Sequence, residues 1–124
     1  MLVDDDQDDI DLFAEALNEV NDKIQLVTAY NGQQALDLLL EGRVNPDFIF
    51  LDINMPIMNG IDCLRLLKAK RKFPPPVVTM YSTSGKDTAE YIECMKLGAL
   101  FITKPATFQG LITAIQKQLS IAAT

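Results

Sequence analysis

The sequence predicts an α/β fold on a parallel sheet, and three observations carry that prediction. Short apolar runs alternate with longer segments of helical period along the whole of the 124 residues, as a chain that builds β-strand and helix in turn must do. One run, Phe48–Leu51, is continuously apolar, the mark of a strand covered on both faces. Polar residues follow the apolar runs at once: Asp4-Asp5-Asp6, Asp52, Ser82-Thr83 and Lys104-Pro105. In open α/β sheets the ligand site lies beyond the carboxyl ends of the strands, so chemistry is expected there.

The elements follow in order. Met1–Val3 reads as a first strand, and Ile10, Phe13, Ala14 and Leu17 as the apolar face of a first helix. One of Asp6, Asp8 and Asp9 is expected to cap that helix, where negative charge meets the positive end of the dipole. Ile24–Tyr30, rich in branched and aromatic residues, reads as a second strand, closed by Asn31-Gly32. Ala35, Leu36, Leu39 and Leu40 form a second helical face, and Phe48–Leu51 the third strand. After Asn59-Gly60, the face of Ile61, Leu64 and Leu67 runs into a basic stretch, Lys68–Lys72, expected to be a solvated helix end opposing the negative dipole terminus. Pro74–Pro76 stop that helix, and Val77–Tyr81 is a fourth strand. Lys86–Leu97 is helical, with Gly98 as its C′ residue. Leu100–Thr103 is the fifth strand, and Phe108, Leu111, Ile112, Ile115 and Leu119 mark the last helix. Five strands alternating with five helices give right-handed crossovers. Three residues are few for the first strand, and the expectation is that natural residues precede Met1.

Composition narrows the function. A net charge of −6 argues against nucleic acid or an anionic membrane as a direct partner. No apolar run is long enough for a membrane span and no signal peptide is visible, so a cytoplasmic protein of one domain, residues 1–124, is expected. Cys63 and Cys94 have no metal-ligand spacing and read as core thiols in a reducing compartment. The absence of histidine excludes Ser-His and Cys-His catalysis, histidine metal sites and a phosphohistidine carrier.

Carboxylates facing a lysine and a hydroxyl suit phosphoryl transfer. Crowded carboxylates repel unless a divalent cation sits among them, and oxygen ligands of this kind suit Mg²⁺. An aspartate beside the metal can attack phosphorus and become an acyl phosphate. A lysine, the metal and a hydroxyl donor would stabilise charge on the transferred group.

Leu2-Val3-Asp4-Asp5-Asp6, Phe48-Ile49-Phe50-Leu51-Asp52-Ile53-Asn54-Met55-Pro56, Asn59-Gly60 and Phe101-Ile102-Thr103-Lys104-Pro105 together resemble the receiver domain of two-component response regulators, of the stand-alone type, over essentially the whole chain. The resemblance implies a doubly wound, flavodoxin-like (βα)5 fold with strand order 2-1-3-4-5, an order taken from the family and not from the element map. It implies Asp52 as phosphoacceptor and Mg²⁺ held by Asp5, Asp52 and the Asn54 backbone carbonyl, with Asp4 helping through water. Lys104 would bind phosphate, Ser82 would be the site hydroxyl and Phe101 the switching aromatic. Tyr81-Ser82-Thr83-Ser84 can be read one place out of register, but the unbroken strand before Ser82 favours it over Thr83. The implied partners are a histidine kinase or histidine phosphotransfer protein and a downstream protein target. The domain would catalyse its own phosphorylation and dephosphorylation without being an enzyme in the ordinary sense.

Four other readings compete. A haloacid-dehalogenase-type phosphatase wants a second aspartate where Asn54 stands. A calcium loop starting at Asp4 has Asp9 where the sharp turn needs glycine, and a dinucleotide fold lacks its glycine-rich turn. The alternative that sequence alone leaves open is a receiver-like interaction module that is never phosphorylated.

Overall fold

The computed structural model describes residues 1–70, 76–83 and 89–123, with side chains described as far as Ser120. Five strands, β1 (Leu2–Val3), β2 (Thr28–Ala29), β3 (Phe48–Asp52), β4 (Val77–Ser82) and β5 (Leu100–Thr103), alternate with five helices, α1 (Gln7–Val20), α2 (Gly32–Leu40), α3 (Gly60–Ala69), α4 (Ala89–Lys96) and α5 (Phe108–Ala123). The sheet is parallel throughout, in the order β2-β1-β3-β4-β5, as the family resemblance implies.

Alternation along the strands divides the core in two. On one face, Leu2, Phe50 and Tyr81 pack with Ile10, Phe13, Ala16 and Leu17 of α1 and Leu111 and Ile115 of α5. On the other, Val3, Leu51, Met80 and Phe101 pack under α2, α3 and α4. Phe13, Phe50 and Tyr81 meet edge-on, with ring centroids 4.9, 6.0 and 6.4 Å apart. Burying a ring of this size is worth about 2–3 kcal/mol, and the cluster fixes Tyr81 near the carboxyl edge of the sheet. Cys63 and Cys94 are both buried and free, and burial pushes the Cys63 thiol up to about 12.

Cap chemistry sets the helix starts. Asp6 is the N-cap of α1, accepting from the Asp8 and Asp9 N–H groups, while Asn31 and Asn59 do the same for Gln34 in α2 and Asp62 in α3. At the end of α4, Gly98 adopts φ +80°. Its N–H donates to the Met95 carbonyl and that of Ala99 to Cys94, the two bonds of a Schellman motif.

Several details depart from the sequence expectations. β2 is two residues, not the whole of Ile24–Tyr30, because its only neighbour is β1, which pairs at Thr28 and Ala29 alone. Ala16 takes the buried place expected of Ala14, and Leu40 and Phe108 are exposed at 50% and 40%, since each lies at the end of its helix. The described part of α4 starts at Ala89. Lys86, Arg71, Lys72, Pro74 and Pro75, named above for helix ends and breaks, lie outside the described residues.

Candidate metal centre

Parallel pairing brings distant residues to one edge. Val3 is level with Leu51, so Asp4 emerges beside Asp52, the last residue of β3. Ser82 pairs with Thr103, so Lys104 emerges beside Ser82, and its N–H donates to the Ser82 carbonyl at 2.7 Å. Neither pairing is local. The sheet brings these strand-end residues together.

Carboxylate oxygens of Asp4, Asp5 and Asp52 lie within 4.8 Å of one another. Asp4 is wholly buried and held by the Asp6 N–H, which donates to its Oδ1 at 3.0 Å. Asp52, 5% exposed, accepts from the Asn54 N–H at 3.3 Å. The Lys104 ammonium donates to Asp9 at 2.9 Å, Asp4 at 3.1 Å and Asp52 at 3.4 Å. It also stands 5.2 Å from the centre of the Tyr81 ring, a cation–π distance.

The electrostatics follow from burial. Loss of water pushes the Asp52 carboxyl up to about 6, with Lys104 opposing and Asp4 adding to the shift. Burial raises Asp4 as well. For Lys104, burial works against the charge, but its bonds to Asp9 and Asp4 and the field of Asp52 outweigh it and hold the ammonium above its ordinary pKa. One lysine faces three aspartates, so the cluster keeps an excess of negative charge. Two of its carboxylates are nearly buried and resist ionising. That is the donor set a hard divalent cation satisfies, with room kept for water or phosphate oxygens. The residues present fit such an ion, and Asp4, Asp5 and Asp52 would hold it.

The structure thus brings together Asp4, Asp5, Asp52 and Lys104, with Asn54 bonded back to Asp52. Ser82 is wholly buried at the end of β4, whereas Thr83 is exposed. Phe101 is in the core, edge-on to Tyr91 with ring centroids 5.2 Å apart. Two further residues stand at the site, Asp9 and Tyr81. Asp9 was weighed only as a helix cap, although its place in the first turn of α1 puts it above the strand ends. Tyr81, the last apolar residue of the Val77–Tyr81 run, pairs level with Asp52, and its ring lies under Lys104. A cavity of about 630 Å³ opens near Met1, Leu26 and Pro46, away from these groups. The chemistry sits instead on an acidic strand edge.

Fold and site together define an α/β module that presents cation-binding carboxylates and one lysine where its strands end. Residues 1–116 match the response regulator receiver domain. The protein-glutamate methylesterase/protein-glutamine glutaminase of Clostridium acetobutylicum is 44% identical over 89 residues, covering 70% of this chain and 25% of its own. That of Archaeoglobus fulgidus is 43% identical over 79 residues, covering 63% and 22%. The chain therefore spans about a quarter of the length of these curated relatives. Among solved structures, the phosphorylated cyanobacterial phytochrome response regulator RcpA superposes with a TM-score of 0.86 at 27% identity, covering 99% of this chain and 91% of that one. The response regulator domain of Thermotoga maritima CheB gives 0.75 at 30%, covering 98% and 92%. The Mn(2+)-bound form of response regulator Rcp1 gives 0.81 at 25%, covering 96% and 89%. The chain belongs to the response-regulator receiver-domain family. That makes residues 1–116 a signalling phosphoacceptor module. No helix among the described residues is long and apolar enough to cross a membrane.

Proposed function

We propose that Asp52 is the phosphoacceptor of a two-component or phosphorelay system, within a receiver unit spanning residues 1–124. The observation that carries this reading is the convergence of the Lys104 ammonium and the Asp4 and Asp5 carboxylates on Asp52, at 3.4 Å for Lys104 and within 4.8 Å for the oxygens of the three aspartates. A histidine kinase or histidine phosphotransfer protein presents phosphohistidine. An Asp52 oxygen attacks phosphorus, the P–N bond breaks as the O–P bond forms, and the imidazole leaves carrying its electron pair. Asp5, Asp52 and the Asn54 carbonyl would hold Mg²⁺, with Asp4 helping through water, and the bound ion would neutralise charge at the transferred group. Lys104 and the Ser82 hydroxyl bind the phosphoryl oxygens.

Output follows from a shift between two states, driven by contacts that phosphate makes in one of them. Met80 pairs with Phe101 and Ser82 with Thr103, so Ser82 and Phe101 share a face of the sheet. A Ser82 drawn toward phosphate frees Phe101 to turn against Tyr91 and alters the surface of α4, β5 and α5. A downstream protein reads that surface, in the cytoplasm and without direct contact to nucleic acid.

The test is incubation with acetyl phosphate, with and without Mg²⁺, followed by intact mass spectrometry. A Mg²⁺-dependent gain of one phosphoryl group, absent in Asp52→Ala, is the expected result. No gain under any condition leaves a receiver fold used purely for protein interaction.

A further inference from the structure

Lys104 has no donor to spare. An ammonium carries three N–H groups, and here they face three carboxylates: Asp9, Asp4 and Asp52 at 2.9, 3.1 and 3.4 Å. A phosphoryl oxygen can be bound only if the lysine gives one of these up. We propose that Asp9 is the acceptor that Lys104 releases, a positioning residue that competes with the phosphoryl group for the ammonium and so sets how far phosphorylation proceeds. The inference rests on the phosphoacceptor reading of Asp52.

The three acceptors differ in how easily they can be given up. Asp4 is wholly buried and its other oxygen is tied to the Asp6 N–H, so losing the lysine would cost a buried carboxylate oxygen its protein donor. Asp52 already makes the longest of the three bonds, and it carries the incoming group, so the lysine must stay near it. Asp9 makes the shortest bond, but its side chain is 36% exposed. A space of about 100 Å³ beside it, bounded by Leu12, Tyr81, Lys104 and Phe108 among others, admits water to the carboxylate once it is released. Asp9 also stands on α1 and not on a strand end, so its bond to Lys104 ties the resting lysine toward that helix.

Charge alone could mimic the effect, since any aspartate near the site repels an anionic donor. Asp8 supplies the control. It lies in the same helical turn, is exposed and makes no bond to Lys104 among the described residues.

The experiment compares wild type, Asp9→Asn, Asp8→Asn and Asp9→Glu with acetyl phosphate and Mg²⁺, reading the ratio of phosphorylated to unphosphorylated protein by intact mass and its decay after the donor is removed. The Lys104 side-chain ammonium is followed by ¹⁵N NMR in the metal-free proteins. Asp9→Asn is expected to raise the ratio about three- to tenfold over Asp8→Asn, the range of one part-exposed charged bond, and to move the Lys104 signal where Asp8→Asn does not. Asp9→Glu keeps the carboxylate and stays near wild type in both. Equal ratios for Asp9→Asn and Asp8→Asn, or a lower ratio in Asp9→Asn, would overturn the proposal while leaving Asp52 as acceptor. A wild type that gains no phosphoryl group removes the phosphoacceptor reading and this inference with it.

Discussion

Gly60 is seated on the main chain of Asp52: a β-carbon at Gly60 would fall 2.1 Å from the Asp52 carbonyl oxygen and 2.9 Å from its carbonyl carbon. The Gly60 N–H donates to the Ile53 carbonyl at 2.8 Å. The loop after β3 therefore folds back until the start of α3 touches the residue that ends the strand, and only a residue without a side chain fits.

Gly60→Ala is accordingly expected to destabilise the protein by about 2–4 kcal/mol, because backbone atoms must move where no flexible side chain can yield. Urea denaturation reads the loss, and Mg²⁺ affinity falls with it, since Asp52 and the Asn54 carbonyl are displaced together. A variant as stable as wild type would mean that α3 starts elsewhere in solution.

Stability of the metal-free protein should fall as pH rises from about 4 to about 6. Asp52 is raised by burial from 3.8 to about 6, and Asp4 is raised too. In that window the folded state holds protons that the unfolded chain has released, so raising the pH favours unfolding. Asp52→Asn removes the ionising group, and is expected to raise Tm at pH 7 and flatten the dependence between pH 4 and 6. Mg²⁺ at about 100 times its Kd restores about 2.7 kcal/mol to wild type and much less to Asp52→Asn. Scanning calorimetry with and without a chelator decides it, and a wild-type Tm that climbs across the window contradicts the assignment.

Ile57 holds φ at +71° with 82% of its surface exposed. A branched side chain in the left-handed region is strained, and burial of so exposed a side chain offsets little of it. Ile57→Gly is expected to gain about 0.5–1 kcal/mol, the relief of strain less the added freedom of the unfolded chain. Equal or lower stability in chemical denaturation would show that Ile57 makes compensating contacts.

Much of this was legible in the residues. Phe48–Leu51, Val77–Tyr81 and Leu100–Thr103 announce strands by composition, and the strands observed extend the first two by one residue each. Asp4 and Asp52 were legible because each directly follows an apolar run, and Asp5 and Lys104 because they lie one place further on; any parallel sheet gathers such positions at one edge. Asp9 was not, because a first-turn aspartate already has a sufficient local explanation in the helix dipole, and its bond to Lys104 spans 95 positions. Tyr81 was obscured in the same way, by a packing role that is real but incomplete. The extent of β2 could not be read from Ile24–Tyr30, since strand length depends on the neighbour available for pairing and not on propensity alone.

The bond from Lys104 to Asp4 joins residues 100 positions apart, and β1 lies in the interior of the sheet between β2 and β3. Chain entropy opposes closing so long a loop until the intervening strands have docked. The carboxylates of Asp4, Asp5 and Asp52 need only β1 and β3 to pair, whereas Lys104 closes the site only once β4 and β5 have docked. It is the tie from Lys104, and not the carboxylate cluster itself, that marks the completed sheet.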